Sequence, residues 1–201
     1  MPKRLLYLFF GFLVLFVSCK RSLTRTELLE YLNAPDNGLV KEKQINGIHI
    51  GLQYKPSDLY VEQHLRAIPD SIRKSELDKL KKQYGENLYL QLSLGKNNRE
   101  IVSSFVNTSM HSAMVNRLAF GMRDFVVLTT ESRDTILLKD YNYVPTYGLS
   151  TNNKILFVFE NNNLNESEYF KFQLKEMGLE TGQVNFKIKI KDINSLPPLK
   201  F

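Results

Sequence analysis

Three histidines are the side chains best suited to acid–base or metal chemistry, and their spacing limits what they can do. His49, His64 and His111 have no second histidine two, three or four residues away, as ligand pairs on one strand or helix have. His111 lies between Ser109 and Ser112, but close neighbours on one helix do not face each other as a serine–histidine pair must. We therefore expect no metal site and no cofactor.

Catalytic sequence patterns are absent as well. The chain contains no G-x-S-x-G, H-E-x-x-H, phosphate-binding loop or G-x-G-x-x-G, each of which places reactive groups at a fixed point of a fold. An enzyme would need the fold to bring a histidine close to an acid such as Asp124 or Asp140. We predict no catalytic residues and a protein that is not an enzyme, with a hydrolase as the alternative.

A polar segment at residues 160–168 has the alternating oxygen-bearing side chains of a calcium loop, with asparagines at 161, 163 and 165. The match ends there, because Glu166 stands where the turn needs glycine and Phe172 stands where a bidentate glutamate belongs. We predict a solvated loop.

An aromatic segment at residues 141–147 contains Tyr141, Tyr143 and Tyr147. Tyrosine offers contact area together with a polar hydroxyl, and loops often carry recognition. Such rings can stack on a sugar or a peptide. The alternative is that they pack over a sheet as part of a buried connection.

The first nineteen residues are organised as an export signal. Lys3 and Arg4 precede an apolar run over residues 5–17, which is followed by the small residue Ser18 and by Cys19. A run of about 13 residues suits the apolar region of a secretory signal. It falls short of the roughly 20 residues that span a bilayer.

The end of this segment, Leu15-Phe16-Val17-Ser18-Cys19, resembles the signal peptides of bacterial lipoproteins. It fits at Val17, Ser18 and Cys19 and departs at Phe16, where the family usually has leucine. The resemblance implies cleavage between Ser18 and Cys19. It also implies a diacylglycerol on the Cys19 thiol and a further acyl chain, such as palmitate, on the freed amine.

Two cations follow the attachment point, and no aspartate stands in second place after Cys19. Resemblance to lipoprotein sorting signals implies a membrane-anchored protein on the periplasmic or outer face of the bacterial envelope, with the periplasmic face of the outer membrane favoured. Lys20, Arg21 and Arg25 form a local basic cluster. Each could contribute about 1 kcal/mol next to anionic headgroups.

Composition favours one globular domain. Removing residues 1–18 from the 201-residue chain leaves 183 residues and takes Lys3 and Arg4 away, so the formal charge falls from +6 to +4. No basic stripe indicates nucleic-acid binding. Cys19 is the only cysteine, so a hydrophobic core rather than a disulfide must hold the fold. We expect a membrane contact through the N-terminal lipid, an envelope protein or glycan as partner, and no nucleic acid.

The first half of the mature chain reads as helices around a hairpin. Thr24 and Glu27 form a capping-box pattern for a helix over residues 22–33. Asn46-Gly47 predicts a tight turn between strands at 39–45 and 48–54. Helices are expected at 56–67, 71–84 and 109–119, with Gly85 ending the second of them.

Alternating apolar residues predict the strands. They lie at 88–94, 125–130, 135–138, 155–160, 169–175 and 184–191, and residues 139–153 read as a long connection. We predict an α+β, β-rich fold with a mostly antiparallel sheet and a few short helices in the N-terminal half, or alternatively a β-sandwich-like C-terminal half. The expected divisions are a signal peptide at 1–18, a lipidated tether with a short helix at 19–38, and a globular domain at 39–201.

Two short segments, Asp70-Ser71-Ile72 and Asp134-Thr135-Ile136, resemble bacterial periplasmic O-glycosylation sites. The resemblance implies a glycan on Ser71 or Thr135, whereas the structural alternatives are a helix start and a turn exit. Taken together, the sequence predicts a lipid-anchored cell-envelope protein that acts as a non-catalytic binding or assembly module. The alternatives are an accessory subunit of an envelope complex and an envelope hydrolase.

Overall fold

The structure is a computed structural model that describes residues 21–161 and 166–201. The described residues form five α-helices. These are α1 (Arg25–Asn33), α2 (Asp58–Ala67), α3 (Asp70–Gly85), α4 (Met110–Asn116) and α5 (Ile190–Asn194). Short 3-10 segments at Pro35–Asn37, Ile101–Phe105 and Met122–Asp124, and a π-helical turn at Arg117–Gly121, join them to the strands.

The described residues also form ten strands. They are β1 (Val40–Ile45), β2 (Ile48–Lys55), β3 (Asn87–Lys96), β4 (Arg99–Glu100), β5 (Val126–Thr130), β6 (Thr135–Ile136), β7 (Leu138–Tyr143), β8 (Asn153–Glu160), β9 (Tyr169–Leu174) and β10 (Val184–Lys189). The first sheet has the order β1-β2-β3-β8-β7 with β4 attached to β3, and the second has the order β10-β9-β5-β6. All strand pairs are antiparallel.

The two sheets share one apolar core. Phe157 and Phe159 of β8 meet Phe172 of β9, with ring centroids 5.7 and 6.4 Å apart. All three rings are fully buried, and burying a side chain of this size stabilises the fold by roughly 1.5–3 kcal/mol. Aromatic residues of one sheet thus fill the space above the other.

Helices cover the opposite face of the first sheet. The Gln53 side chain on β2 donates to the carbonyl of Leu32 at the end of α1, at 3.0 Å. Tyr60 of α2 lies against Tyr89 of β3, with ring centroids 4.3 Å apart. Helices α1, α2 and α3, which packs on α2, therefore form a layer outside the first sheet. Met114 of α4 and Ile190 of α5 are instead buried in the core that the two sheets share.

Helix α1 is an integral part of this outer layer of helices. Thr24 accepts from the Glu27 backbone N–H, and the Glu27 carboxylate accepts from the Thr24 backbone, as the capping box predicts. Leu28 and Leu32 are buried in a cluster with Leu39. The sequence placed this helix with the tether, whereas its packing joins it to the folded domain.

The predicted α+β, β-rich and antiparallel class is confirmed. The alternative of a sandwich confined to the C-terminal half does not describe the sheets. The second sheet comes wholly from residues after 120, but the first combines strands from both halves.

Three local predictions need correction. Residues 139–153 are not simply a connection, because β7 occupies Leu138–Tyr143 and pairs with β8. The helix expected over 109–119 ends as an α-helix at Asn116 and continues as a π-helical turn. Gly85 is still helical, and Glu86 is the residue that caps α3. Within the described residues, no helix has the length and apolar character needed to cross a bilayer.

Candidate functional site

The predicted lipid-attachment residue Cys19, the cleavage residue Ser18 and the whole of residues 1–18 lie outside the described residues. Attachment and cleavage there remain predictions. The described chain starts at Arg21, whose guanidinium lies 3.7 Å from the Glu27 carboxylate.

Two of the histidines have local partners. His49 Nε2 lies 3.3 Å from a carboxylate oxygen of Glu42 on the neighbouring strand. His64 Nδ1 lies 3.1 Å from the Tyr84 hydroxyl, which joins helices α2 and α3. Each contact connects adjacent elements of the fold.

The third histidine contacts the backbone. His111 Nδ1 lies 3.2 Å from the Val102 carbonyl oxygen. No hydrogen bond or ion pair joins any of the three histidines to Asp124 or Asp140 in the part of the chain that the structure describes. Across the same residues, no group of three or more histidine, cysteine or acidic side chains is arranged to hold a metal ion.

The remaining predicted sites lie at the surface or outside the described residues. Ser71 is exposed on α3 and Thr135 is exposed on β6. The calcium-like segment begins at Glu160, the last residue of β8, and its residues 162–165 are among those that the structure does not describe.

The aromatic segment at 141–147 divides into a strand and an exposed turn. Tyr141 and Tyr143 belong to β7, and the chain then leaves the sheet. Residues 144–149, which we call the exposed loop, carry three large apolar or aromatic side chains into solvent: Val144, Tyr147 and Leu149 are 61%, 87% and 92% exposed. A cluster of this kind on one short loop is typical of a contact surface.

A tight turn shapes the exposed loop. The Leu149 N–H donates to the Thr146 carbonyl at 2.9 Å. Tyr147 and Gly148 between them have φ of 51° and 85°. Two positive φ angles are typical of a type I′ turn, and for a residue as bulky as tyrosine this conformation is a strained one. Strain of this kind persists only where the surroundings impose it.

The buried side chain of Glu100 holds the turn in this conformation. Glu100 on β4 is only 1% exposed, and its Oε2 accepts from the Gly148 N–H at 2.8 Å. A buried polar group left without its hydrogen bond costs about 1–3 kcal/mol, so this contact restrains the turn. Glu100 therefore fixes the turn that presents Tyr147 and Leu149.

Asn153 stabilises the same region through two side-chain hydrogen bonds. Its side chain, on a residue only 1% exposed, accepts from the Val102 N–H and donates to the Tyr143 hydroxyl, both at 3.1 Å. Burial raises the pKa of Tyr143, and the nearby Glu100 carboxylate and Tyr147 raise it further. The Tyr143 phenol thus stays neutral and serves as a hydrogen-bonding group, not as a base.

Close packing against Gly95 holds residues 151–152, which follow the exposed loop. A Cβ on Gly95 would lie 2.2 Å from the Asn152 side-chain oxygen and 2.7 Å from the Thr151 carbonyl oxygen. Only glycine leaves room for that approach. Gly148 within the turn and residues 151–152 after it therefore both contact the β3–β4 hairpin.

Two polar atoms beside the loop are buried without a hydrogen-bond partner within the described residues. They are Glu100 Oε1 and Thr146 Oγ1. Both atoms are shielded from solvent, so they belong to the interior support of the exposed loop and not to its contact surface.

The neighbouring edge strand is protected against pairing. Arg123 donates to the carbonyls of Leu138 and Lys139 on β7. Asp140 accepts from the Tyr141 N–H at 2.8 Å, beside a register shift in the β7–β8 pairing. Capped edge groups and a bulge both discourage addition of a foreign strand. At this end of the molecule, the exposed loop is therefore a better candidate contact surface than the edge of β7.

Sequence reasoning found the aromatic segment but missed Glu100. β4 is only two residues long, which is too short for an alternating pattern to mark one residue as buried. The only local signal is the preceding turn at Gly95-Lys96-Asn97-Asn98.

Comparison of the chain with protein-family models, with curated proteins and with solved structures found no match.

Proposed function

We propose that this protein is a lipid-anchored binding module of a bacterial cell envelope, attached through Cys19 and contacting a partner protein through the exposed loop. The export signal supports the location, because a charged, short apolar segment ends at the only cysteine in the chain. The observation that carries the binding role is the turn at Tyr147-Gly148, held in a strained conformation by buried Glu100.

The chemistry of the loop suits a protein surface. Tyr147 offers a rigid ring with a hydroxyl, while Leu149 and Val144 supply apolar area. Aromatic anchors presented on a preorganised turn bind with little loss of conformational entropy. No step of this role requires a cofactor.

Site-specific photo-crosslinking in the native envelope tests the binding role. A photoreactive residue replaces Leu149 in one variant and Lys171, which is exposed on β9, in a matched control. We expect one defined adduct from position 149 and none from position 171. Tyr147→Ala should lower the yield of that adduct. Equal adducts at both positions, or an adduct insensitive to Tyr147→Ala, would contradict the proposal.

The second candidate function is that of a permanent accessory subunit of an envelope complex. The exposure of Leu149 and Tyr147 favours it, since a stable partner would cover apolar side chains that otherwise face water. Purification from native membranes in mild detergent separates the two forms. A subunit keeps its partner in a fixed ratio, whereas a transient binding module is recovered alone.

We place the anchored protein on the periplasmic face of the outer membrane. This rests on Lys20 and Arg21, which follow Cys19 where an aspartate would mark retention in the inner membrane. Separation of the two membranes by density tests the assignment. Recovery with inner-membrane markers would contradict it.

A further inference from the structure

The described chain begins beside its own C-terminal segment. The Leu23 N–H donates to the Pro198 carbonyl, and the Lys200 N–H donates to the Leu23 carbonyl, both at 2.8 Å. Leu23 and Leu199 form a parallel bridge. Leu23 is the fourth residue after Cys19, so the two Cα atoms can be at most about 14 Å apart. If Cys19 carries the lipid, as proposed above, this point of the domain stays close to the bilayer.

A groove of about 410 Å³ opens beside that point. Helices α2 and α3 form its walls, and Lys200 and Phe201 close one end. Its apolar lining comes from Leu65, Leu77 and Phe201, of which Phe201 is 42% exposed. Lys200 links the groove directly to Leu23 through its backbone hydrogen bond.

The charge of this lining is strongly positive. Four cations, Arg66, Arg73, Lys74 and Lys200, face one carboxylate, Glu62. Glu62 is already shared, because it pairs with both Arg66 and Arg25.

The other three cations of the groove differ in whether they already have an ion-pair partner. Arg73 lies 2.7 Å from Asp70. Within the described residues, no hydrogen bond or ion pair joins the ammonium groups of Lys74 and Lys200 to another side chain. These two lysines are available to an anion.

We propose that this groove faces the bilayer and docks on anionic lipid headgroups. The cations would contact headgroup phosphates, and Leu65, Leu77 and Phe201 would contact the glycerol and upper acyl region. Long basic side chains with apolar stems suit this interface, as does an aromatic ring. Docking would fix the orientation of the anchored domain and place the second sheet, with its exposed lysines, on the side away from the membrane.

The test uses the full-length lipidated protein reconstituted in vesicles of phosphatidylglycerol or of phosphatidylcholine. Each contains a trace of lipid with a photoactivatable headgroup, and the labelled peptides are mapped by mass spectrometry. We expect the groove to be labelled in preference to β9 and β10, and more strongly in phosphatidylglycerol. The preference should decline with salt, since the screening length is about 10 Å at 0.1 M.

Lys74→Gln/Lys200→Gln removes the two free cations. We expect groove labelling to fall about fivefold for each cation lost, relative to the rest of the domain. Lys171→Gln/Lys189→Gln makes the same charge change on exposed positions of β9 and β10, and it should leave the labelling unchanged.

The outcomes separate this inference from the proposed function. Equal groove labelling in both lipids, or no effect of Lys74→Gln/Lys200→Gln, would overturn the inference and assign the groove to another occupant such as a protein. A protein that floats with the vesicles but is labelled uniformly would overturn the inference alone. A protein that is not acylated and does not float would overturn the lipid attachment, and the inference with it.

Discussion

Lys55 is a lysine whose charged form is disfavoured in the folded protein. It ends β2 beneath the helices, and burial lowers its pKa to about 8, with Lys154 and Arg25 adding to the effect. An unfolded lysine titrates near 10.4. Between about pH 8 and pH 10 the unfolded chain therefore binds more protons than the folded one, and the free energy of unfolding rises with pH.

Lys55→Met removes this penalty. At pH 7 we expect the variant to be more stable by about 1–2 kcal/mol, a value reduced from the full pKa shift because the side chain is partly solvated. The advantage should shrink between pH 7 and pH 9.5, when the wild-type lysine loses its proton. Urea unfolding at the two pH values measures it.

Lys171→Met is the control for that measurement, because Lys171 is exposed. Its effect on stability should be the same at both pH values. A constant difference between wild type and Lys55→Met across this range would contradict the assigned pKa.

Gly47 in the β1–β2 turn and Gly85 at the end of α3 differ in backbone conformation, and this difference decides how an added methyl group changes stability. Gly47 has φ of 75°, and a Cβ there would meet nothing closer than the Lys96 Cε at 4.0 Å. Gly85, at the end of α3, would meet nothing within 4 Å and does not have positive φ. Both positions have space, so only the backbone differs.

Gly47→Ala should lower the free energy of unfolding by about 1 kcal/mol, because an L-residue is strained at positive φ. Gly85→Ala should raise it by about 0.5–1 kcal/mol, because alanine favours a helix. Urea denaturation measures both variants. A shift of the same sign in the two would show that backbone conformation is not the cause.

The elements that could be predicted are those whose signals are local. The Thr24–Glu27 capping box and the Asn46-Gly47 turn formed as expected, since each depends on residues within a few positions. β7 could not be predicted, because its sequence LKDYNY does not alternate and its pairing with β8 across the loop creates the strand. The aromatic segment of the candidate site was visible, whereas its buried anchor Glu100 was determined by long-range packing.

The whole molecule has two faces with different proposed tasks. The groove at the Leu23 end carries free cations and exposed Phe201. The exposed loop follows the edge strand β7 of the first sheet. We propose the bilayer as the contact of the groove and a partner protein as the contact of the exposed loop, and both roles depend on attachment at Cys19.

Incorporation of a labelled fatty acid in the native bacterium is therefore the most direct test. Wild-type protein and Cys19→Ser are expressed at matched levels and followed by label and by detergent partition. We predict label and membrane retention in the wild type and neither in Cys19→Ser. No label in the wild type, or unchanged label and retention in Cys19→Ser, would contradict lipid attachment at this residue.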